Sequence, residues 1–171
     1  MKIAITGAHS VGKTTLAEKL LEHLPNYELR SEPYYELQGL GYEFSEKPNT
    51  DDFLQQFKYS IKQVSGDGEN VIFDRCPIDI LAYIEALNGS NLQSLYDKAE
   101  SAMEAIDLVV LVPIEQPDVI RCEDYPDLRD TVNEILQDSI HDFEVEIITI
   151  QGSLNNRVKQ VLNKITAMIR T

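Results

Sequence analysis

Short unbroken apolar runs alternate along this chain with longer stretches whose apolar positions recur at a helical period. Lys2–Thr6 is such a run and ends at Gly7, the pattern of a buried strand. Residues 14–24 follow with Leu16, Ala17, Leu20, Leu21 and Leu24 at helical spacing, and Pro25 stops them. Tyr27–Ser31 predicts a weaker second strand. Thr50–Asp52 supply the cap and first-turn acids of a helix whose stripe is Phe53, Leu54, Phe57, Ile61 and Val64. After the Gly66–Gly68 turn, Val71–Phe73 is a third buried strand. Helices are predicted over 78–87, 92–104, 128–140 and from a Ser153 cap to Ile169. Ile106–Val112, β-branched and almost continuously apolar, suits a central parallel strand covered on both faces. Val145–Ile150 is the last strand, and residues 115–127 show no periodicity. The alternation predicts an α/β fold of three layers, a five-stranded parallel sheet with helices on both faces and the first and third strands as neighbours. With no repeat or second boundary, the expectation is one domain over 1–171.

The junction of the first strand and helix carries the most specific chemistry. Gly7-Ala8-His9-Ser10-Val11-Gly12-Lys13-Thr14 satisfies GxxxxGK[ST] after a strand and at the opening of a helix. Glycines let backbone N–H groups turn inward around an anion, and the helix N-terminus adds its positive dipole end. Lys13 is expected at the β- and γ-phosphates of ATP or GTP, Thr14 on Mg²⁺ and Thr15 at the α-phosphate. His9 fills a position the pattern leaves free and reads as solvated loop filler.

Composition narrows the partners. The 171 residues are 43% hydrophobic and 26% charged, ordinary for a globular protein, with a net charge of −14. That charge disfavours nucleic acid, whose binding rests on Lys and Arg at phosphates, and requires a locally positive phosphate site. No run approaches the ~20 apolar residues that span a bilayer. The chain enters a core strand directly from Met1, so a cytoplasmic location is expected. Cys76 and Cys122 form no CxxC and read as reduced thiols. The acids concentrate between Glu115 and Glu146, where Arg121 and Arg129 are the only Lys or Arg residues.

Two acids stand where strands of an open α/β sheet reach the ligand crevice. Asp74 closes the third strand, able to hold Mg²⁺ through water, accept a proton from an attacking hydroxyl or cap the next helix; Arg75 beside it is placed for a transferred phosphate. Glu32 follows the second strand, and Pro33 fixes the chain as it leaves the sheet.

Gly7–Thr15, then Ser31-Glu32-Pro33, then Asp74-Arg75-Cys76, then arginines in a late loop, resemble the nucleoside and nucleotide kinase branch of P-loop proteins. Thymidylate and deoxynucleoside kinases carry similar Glu-Pro and Asp-Arg or Glu-Arg pairs. Bacterial nicotinamide-riboside kinases and related small AAA-type ATP-binding proteins show a comparable order of elements. The resemblance implies that Glu32 or Asp74 is the catalytic base and Arg75 a phosphate contact. It also implies that residues 115–129 are a mobile lid whose Arg121 and Arg129 close on ATP, although this lid is short and acidic. Gln56 and Tyr59 fall where the family reads the acceptor base. The expected activity is ATP-dependent phosphotransfer to a small nucleoside- or nucleotide-like acceptor, with a homodimer possible and neither nucleic acid nor membrane as partner.

Other classes fit less well. A regulatory GTPase needs NKxD after a strand; Asn163-Lys164-Ile165-Thr166 only begins so and lies in the terminal helix. An oligomeric AAA+ motor needs an apolar run ending Asp-Glu and more chain for a helical lid domain. A nucleotide-binding sensor without an acceptor remains the alternative, separated from a kinase by whether an acceptor accelerates ATP turnover.

Overall fold

The computed structural model describes residues 1–120 and 122–170. Five strands form one sheet: β1 (Lys2–Thr6), β2 (Glu28–Arg30), β3 (Val71–Asp74), β4 (Leu108–Leu111) and β5 (Ile147–Thr149). Their order is β2-β3-β1-β4-β5, and every pairing is parallel. The central three strands are buried along nearly their whole length, which is why they read as unbroken apolar runs rather than alternating ones.

Among the described residues seven α-helices flank the sheet: α1 (Lys13–Leu21), α2 (Pro33–Gly39), α3 (Thr50–Val64), α4 (Pro77–Ala86), α5 (Leu92–Met103), α6 (Pro126–Ser139) and α7 (Leu154–Ile169). Right-handed crossovers divide the main helices between the two faces. The helix after β1 leads toward β2 on one face, where α1 packs with α7. The connection from β3 to β4 runs the other way, so α4 lies on the opposite face with α3, α5 and α6 against it. Neighbouring strands β1 and β3 thus send their chains to opposite faces, and a crevice opens at their carboxyl ends. Register aligns those ends, with Ile5 opposite Asp74 and Thr6 opposite Leu111.

The five-stranded parallel sheet and the β1–β3 adjacency match the sequence expectation; several boundaries do not. Helix α1 ends at Leu21, three residues before the predicted Leu24, and β2 is a three-residue edge strand. The last strand contracts to Ile147–Thr149, although Ile150 N–H still donates to the Leu111 carbonyl. Helix α2 is absent from the sequence reading. Only Pro33 of its seven residues is buried, so no apolar stripe marks it, and Pro33 serves at its first turn. Asn49, not Thr50, caps α3, its side chain accepting from Asp52 N–H.

Phe57 on α3 is one of the largest fully buried side chains. Truncation to Ala is expected to lower unfolding free energy by about 3–5 kcal/mol, measured by urea denaturation with an unchanged m-value.

Candidate functional site

The loop between β1 and α1 is shaped by backbone conformations that its residue types allow. A Cβ on Gly7 would lie 2.4 Å from the Val112 carbonyl oxygen, so only glycine fits where the loop leaves the sheet. Gly12, the residue before α1, is left-handed at φ 89°, and Ser10 adopts φ 54°. The turn delivers Lys13 into the first turn of α1, with Thr14 and Thr15 at the exposed rim of that helix start.

Lys13 is buried, and its Nζ donates to the Ala8 carbonyl at 2.5 Å. Burial, with the charge of Arg75 added to it, brings its pKa down to about 7. The carboxylates of Asp79, Glu32 and Asp74 offset this only in part, so an incoming phosphate would favour the charged ammonium.

Across the crevice, Thr14 Oγ1 donates to Asp74 Oδ2 at 2.6 Å. Burial raises the Asp74 carboxyl above the usual range, against the Thr14 hydrogen bond. Asp74 Oδ1 is buried and has no hydrogen-bond partner. Asp74 is not the cap of α4: Cys76 is, and Asp79 at the third helical position completes a capping box, its Oδ1 accepting from Cys76 N–H at 3.0 Å. A hydroxyl and a carboxylate with an unsatisfied oxygen at the mouth of a phosphate loop fit an oxygen-coordinated divalent cation. Among the described residues no cluster of three His, Cys, Asp or Glu side chains is placed to hold a metal alone. Phosphate oxygens and water would have to complete the shell.

Arg75 and Glu32 meet directly. Arg75 Nε donates to Glu32 Oε2 at 2.5 Å, and Nη1 donates to Asp79 Oδ2 at 2.9 Å. The guanidinium carbon sits 5.4 Å from the centre of the Tyr83 ring. Arg75 has φ 79°, a left-handed strain of about 1–3 kcal/mol that this ring of partners offsets. Burial alone would push the Glu32 carboxyl up, but the Arg75 charge and hydrogen bond, helped by Lys13, bring it below the usual range. Glu32 and Arg75 line a cavity of about 380 Å³ together with Tyr34, Phe53, Gln56 and Tyr83. Phe53 and Tyr83 stack at 4.6 Å, forming one aromatic wall.

His9 is not solvated filler. Its Nδ1 lies 2.8 Å from Tyr83 Oη and its Nε2 2.8 Å from the Asp124 carbonyl oxygen, so it ties the loop to the segment before α6.

A family model described as AAA domain matches residues 2–157. The chain belongs to the AAA-domain family. Solved structures share the fold. A deoxyadenosine kinase from M. mycoides, with dCMP and a flexible dCDP bound, is 17% identical; 98% of this chain and 100% of that one align with a TM-score of 0.66. Thymidylate kinase from Ehrlichia chaffeensis is 18% identical over 97% and 98% of the two chains, with a TM-score of 0.65. A NadR protein in complex with NR is 17% identical with a TM-score of 0.72, covering 96% of this chain and 50% of that one. This chain therefore corresponds to half of that NadR protein. At these identities the likeness establishes a kinase-like P-loop fold. No curated protein matches the sequence at a significant level.

In this AAA-domain chain the crevice gathers Lys13, Thr14, Glu32, Asp74 and Arg75, five of the residues selected from sequence. Gln56 joins them at the cavity, whereas Tyr59 does not line it. Arg121 lies outside the described residues. Arg129 is placed differently from a loop arginine: it is buried within α6, its Nε donating to the His9 carbonyl and Nη2 to the Ser10 carbonyl. The sequence reading missed Asp79, Tyr83 and Arg157. Only Asp79 carried a local signal, three residues after Cys76 at a helix start, where a capping acid belongs. Cys76 is buried, and burial pushes its thiol up to about 12, consistent with an unreactive core residue.

The described residues include no helix long and apolar enough to cross a membrane.

Proposed function

We propose that this protein transfers the γ-phosphoryl group of ATP to a hydroxyl of a nucleoside-like acceptor bound in the aromatic cavity. The observation that carries the reading is the juxtaposition of the phosphate loop with a cavity of about 380 Å³ lined by an ionised Glu32. Aromatic walls suit a flat heterocycle, and Gln56 offers an amide with both donor and acceptor. Loop N–H groups and Lys13 hold the triphosphate. Glu32 takes the proton of the acceptor hydroxyl as its oxygen attacks the γ-phosphorus, and the bond to the β–γ bridging oxygen breaks to release ADP. Thr14 and Asp74 would hold Mg²⁺, which when bound neutralises developing charge on the phosphate oxygens. Arg75, kept between Glu32 and Asp79, orients the base and faces the transferred group.

Charge favours a phosphate-free acceptor. Among the described residues Arg75 is the sole Lys or Arg lining the cavity, and two carboxylates already occupy it. A monophosphate would bring close to two negative charges against Glu32. Incubating the protein with ATP, Mg²⁺ and a panel of nucleosides and monophosphates tests the reading. One nucleoside is expected to raise ADP formation at least about tenfold above ATP alone, as general-base positioning requires. ATP turnover indifferent to every acceptor would sink it and leave a sensor. A monophosphate outpacing its nucleoside would retain the kinase and reject the charge argument.

A further inference from the structure

Three consecutive carbonyls of the phosphate loop, those of His9, Ser10 and Val11, are held from outside by two arginines on different helices. Arg129 on α6 donates from Nε to His9 at 2.9 Å and from Nη2 to Ser10 at 3.0 Å. Arg157 on α7 donates from Nη1 to Val11 at 2.8 Å and from Nε to the Gly152 carbonyl at 2.9 Å. Each guanidinium is oriented by a carboxylate on the connection after β4. Asp118 lies 2.6 Å from Arg129 Nη1, and Glu115 lies 2.9 Å from Arg157 Nη2. Arg129 is 3% exposed, buried as a core residue would be.

The peptide unit explains what this arrangement does. Carbonyl and N–H of one peptide point in opposite directions, so fixing carbonyls outward turns the amides that follow them toward the anion site. Gly7 and Gly12 carry no side chain that could fix these peptides, and the loop's other ties, Lys13 Nζ on the Ala8 carbonyl and His9 on Tyr83 and Asp124, leave the carbonyls of residues 9–11 to the arginines. The planar fork of arginine suits the task, engaging two neighbouring acceptors and one carboxylate at once. All three nitrogens of each guanidinium are already bonded to protein acceptors.

We infer that Arg129 and Arg157 are positioning residues that pre-set the phosphate loop through its outward carbonyls, rather than closing on the triphosphate. The inference rests on nucleotide binding at this loop, as proposed above. Because both di- and triphosphates use the same loop amides, losing the clamp weakens ADP and ATP alike. An arginine touching the γ-phosphate would affect ATP alone.

The test uses the full chain with Arg129→Lys and Arg157→Lys, which keep the charge but lose the fork. Each is expected to raise the Kd for ATP and for ADP by the same factor, about tenfold or more. Without nucleotide, hydrogen exchange at residues 7–14 is expected to rise while exchange in β4 stays unchanged. Should either lysine variant fail to fold, Asp118→Asn and Glu115→Gln, which loosen the guanidinium without removing it, are expected to show a smaller but equally shared loss. An ATP-selective loss overturns the inference, as does unchanged exchange at residues 7–14. Wild-type protein that binds neither nucleotide removes the proposed function instead, while the exchange measurement on unliganded protein still decides the clamp.

Discussion

Lys13→Ala is expected to raise the Kd for ATP by about ten- to a hundredfold, leaving the folding transition close to that of the wild type. A charge-assisted hydrogen bond to phosphate contributes on the order of 1.5–3 kcal/mol, and this lysine is the point charge inside the loop. The wild-type protein should also show a pH signature that the variant lacks. Burial, then Arg75, lowers the free Lys13 to about 7. Bound phosphates favour the charged ammonium and raise that value. The sign follows from linkage: affinity is full below the free-state value and falls as pH rises toward the bound-state value. Between about pH 7.5 and 9 nucleotide binding should therefore take up a proton, and affinity should drop by up to about tenfold per pH unit. Calorimetry at pH 8 in two buffers of different ionisation enthalpy reads that proton directly. No proton uptake in the wild type would mean that Lys13 is already charged before nucleotide binds, and the same uptake in Lys13→Ala would assign the proton to another group.

What was legible in the sequence depended on how local its physical cause is. The phosphate loop announces itself because turn geometry, helix start and charge all fall within residues 7–15. The buried parallel strands were equally plain, since both faces of β1, β3 and β4 are covered and no alternation interrupts them. Glu32, Asp74 and Arg75 could be placed at the crevice by strand ends alone, but not told apart. Their division comes from tertiary contacts: Asp74 meets Thr14 across 60 residues, and Glu32 meets Arg75 across 43. Arg157 was illegible for the same reason, lying 146 residues from the Val11 carbonyl it holds. It reads in sequence as an ordinary charge on the polar face of a helix. His9 was undervalued because its partners, Tyr83 and Asp124, come from α4 and the connection before α6.

The two acids left as rival bases by the sequence should separate when each is neutralised without change of shape. Glu32 lines the aromatic cavity and is held ionised by Arg75, so Glu32→Gln removes a proton acceptor from the proposed acceptor site. Turnover is expected to fall by about 10²–10⁴-fold, with the Kd for ATP changed less than about threefold. Asp74 faces the other way, toward the Thr14 hydroxyl, with its second oxygen unsatisfied. Asp74→Asn should instead raise the Mg²⁺ concentration needed for half-maximal ATP binding, because a neutral amide is a poor partner for a cation's water shell. Its turnover should recover in part at high Mg²⁺, whereas that of Glu32→Gln should not. The Glu32 carboxyl lies below the usual range, so its own protonation should not limit turnover until the pH has fallen below the ordinary carboxylate range. The measurement is turnover across a Mg²⁺ series for wild type and both variants, beside ATP binding by calorimetry. Rescue of Glu32→Gln by Mg²⁺, or an Asp74→Asn defect that no Mg²⁺ concentration relieves, would exchange the two roles and make Asp74 the base.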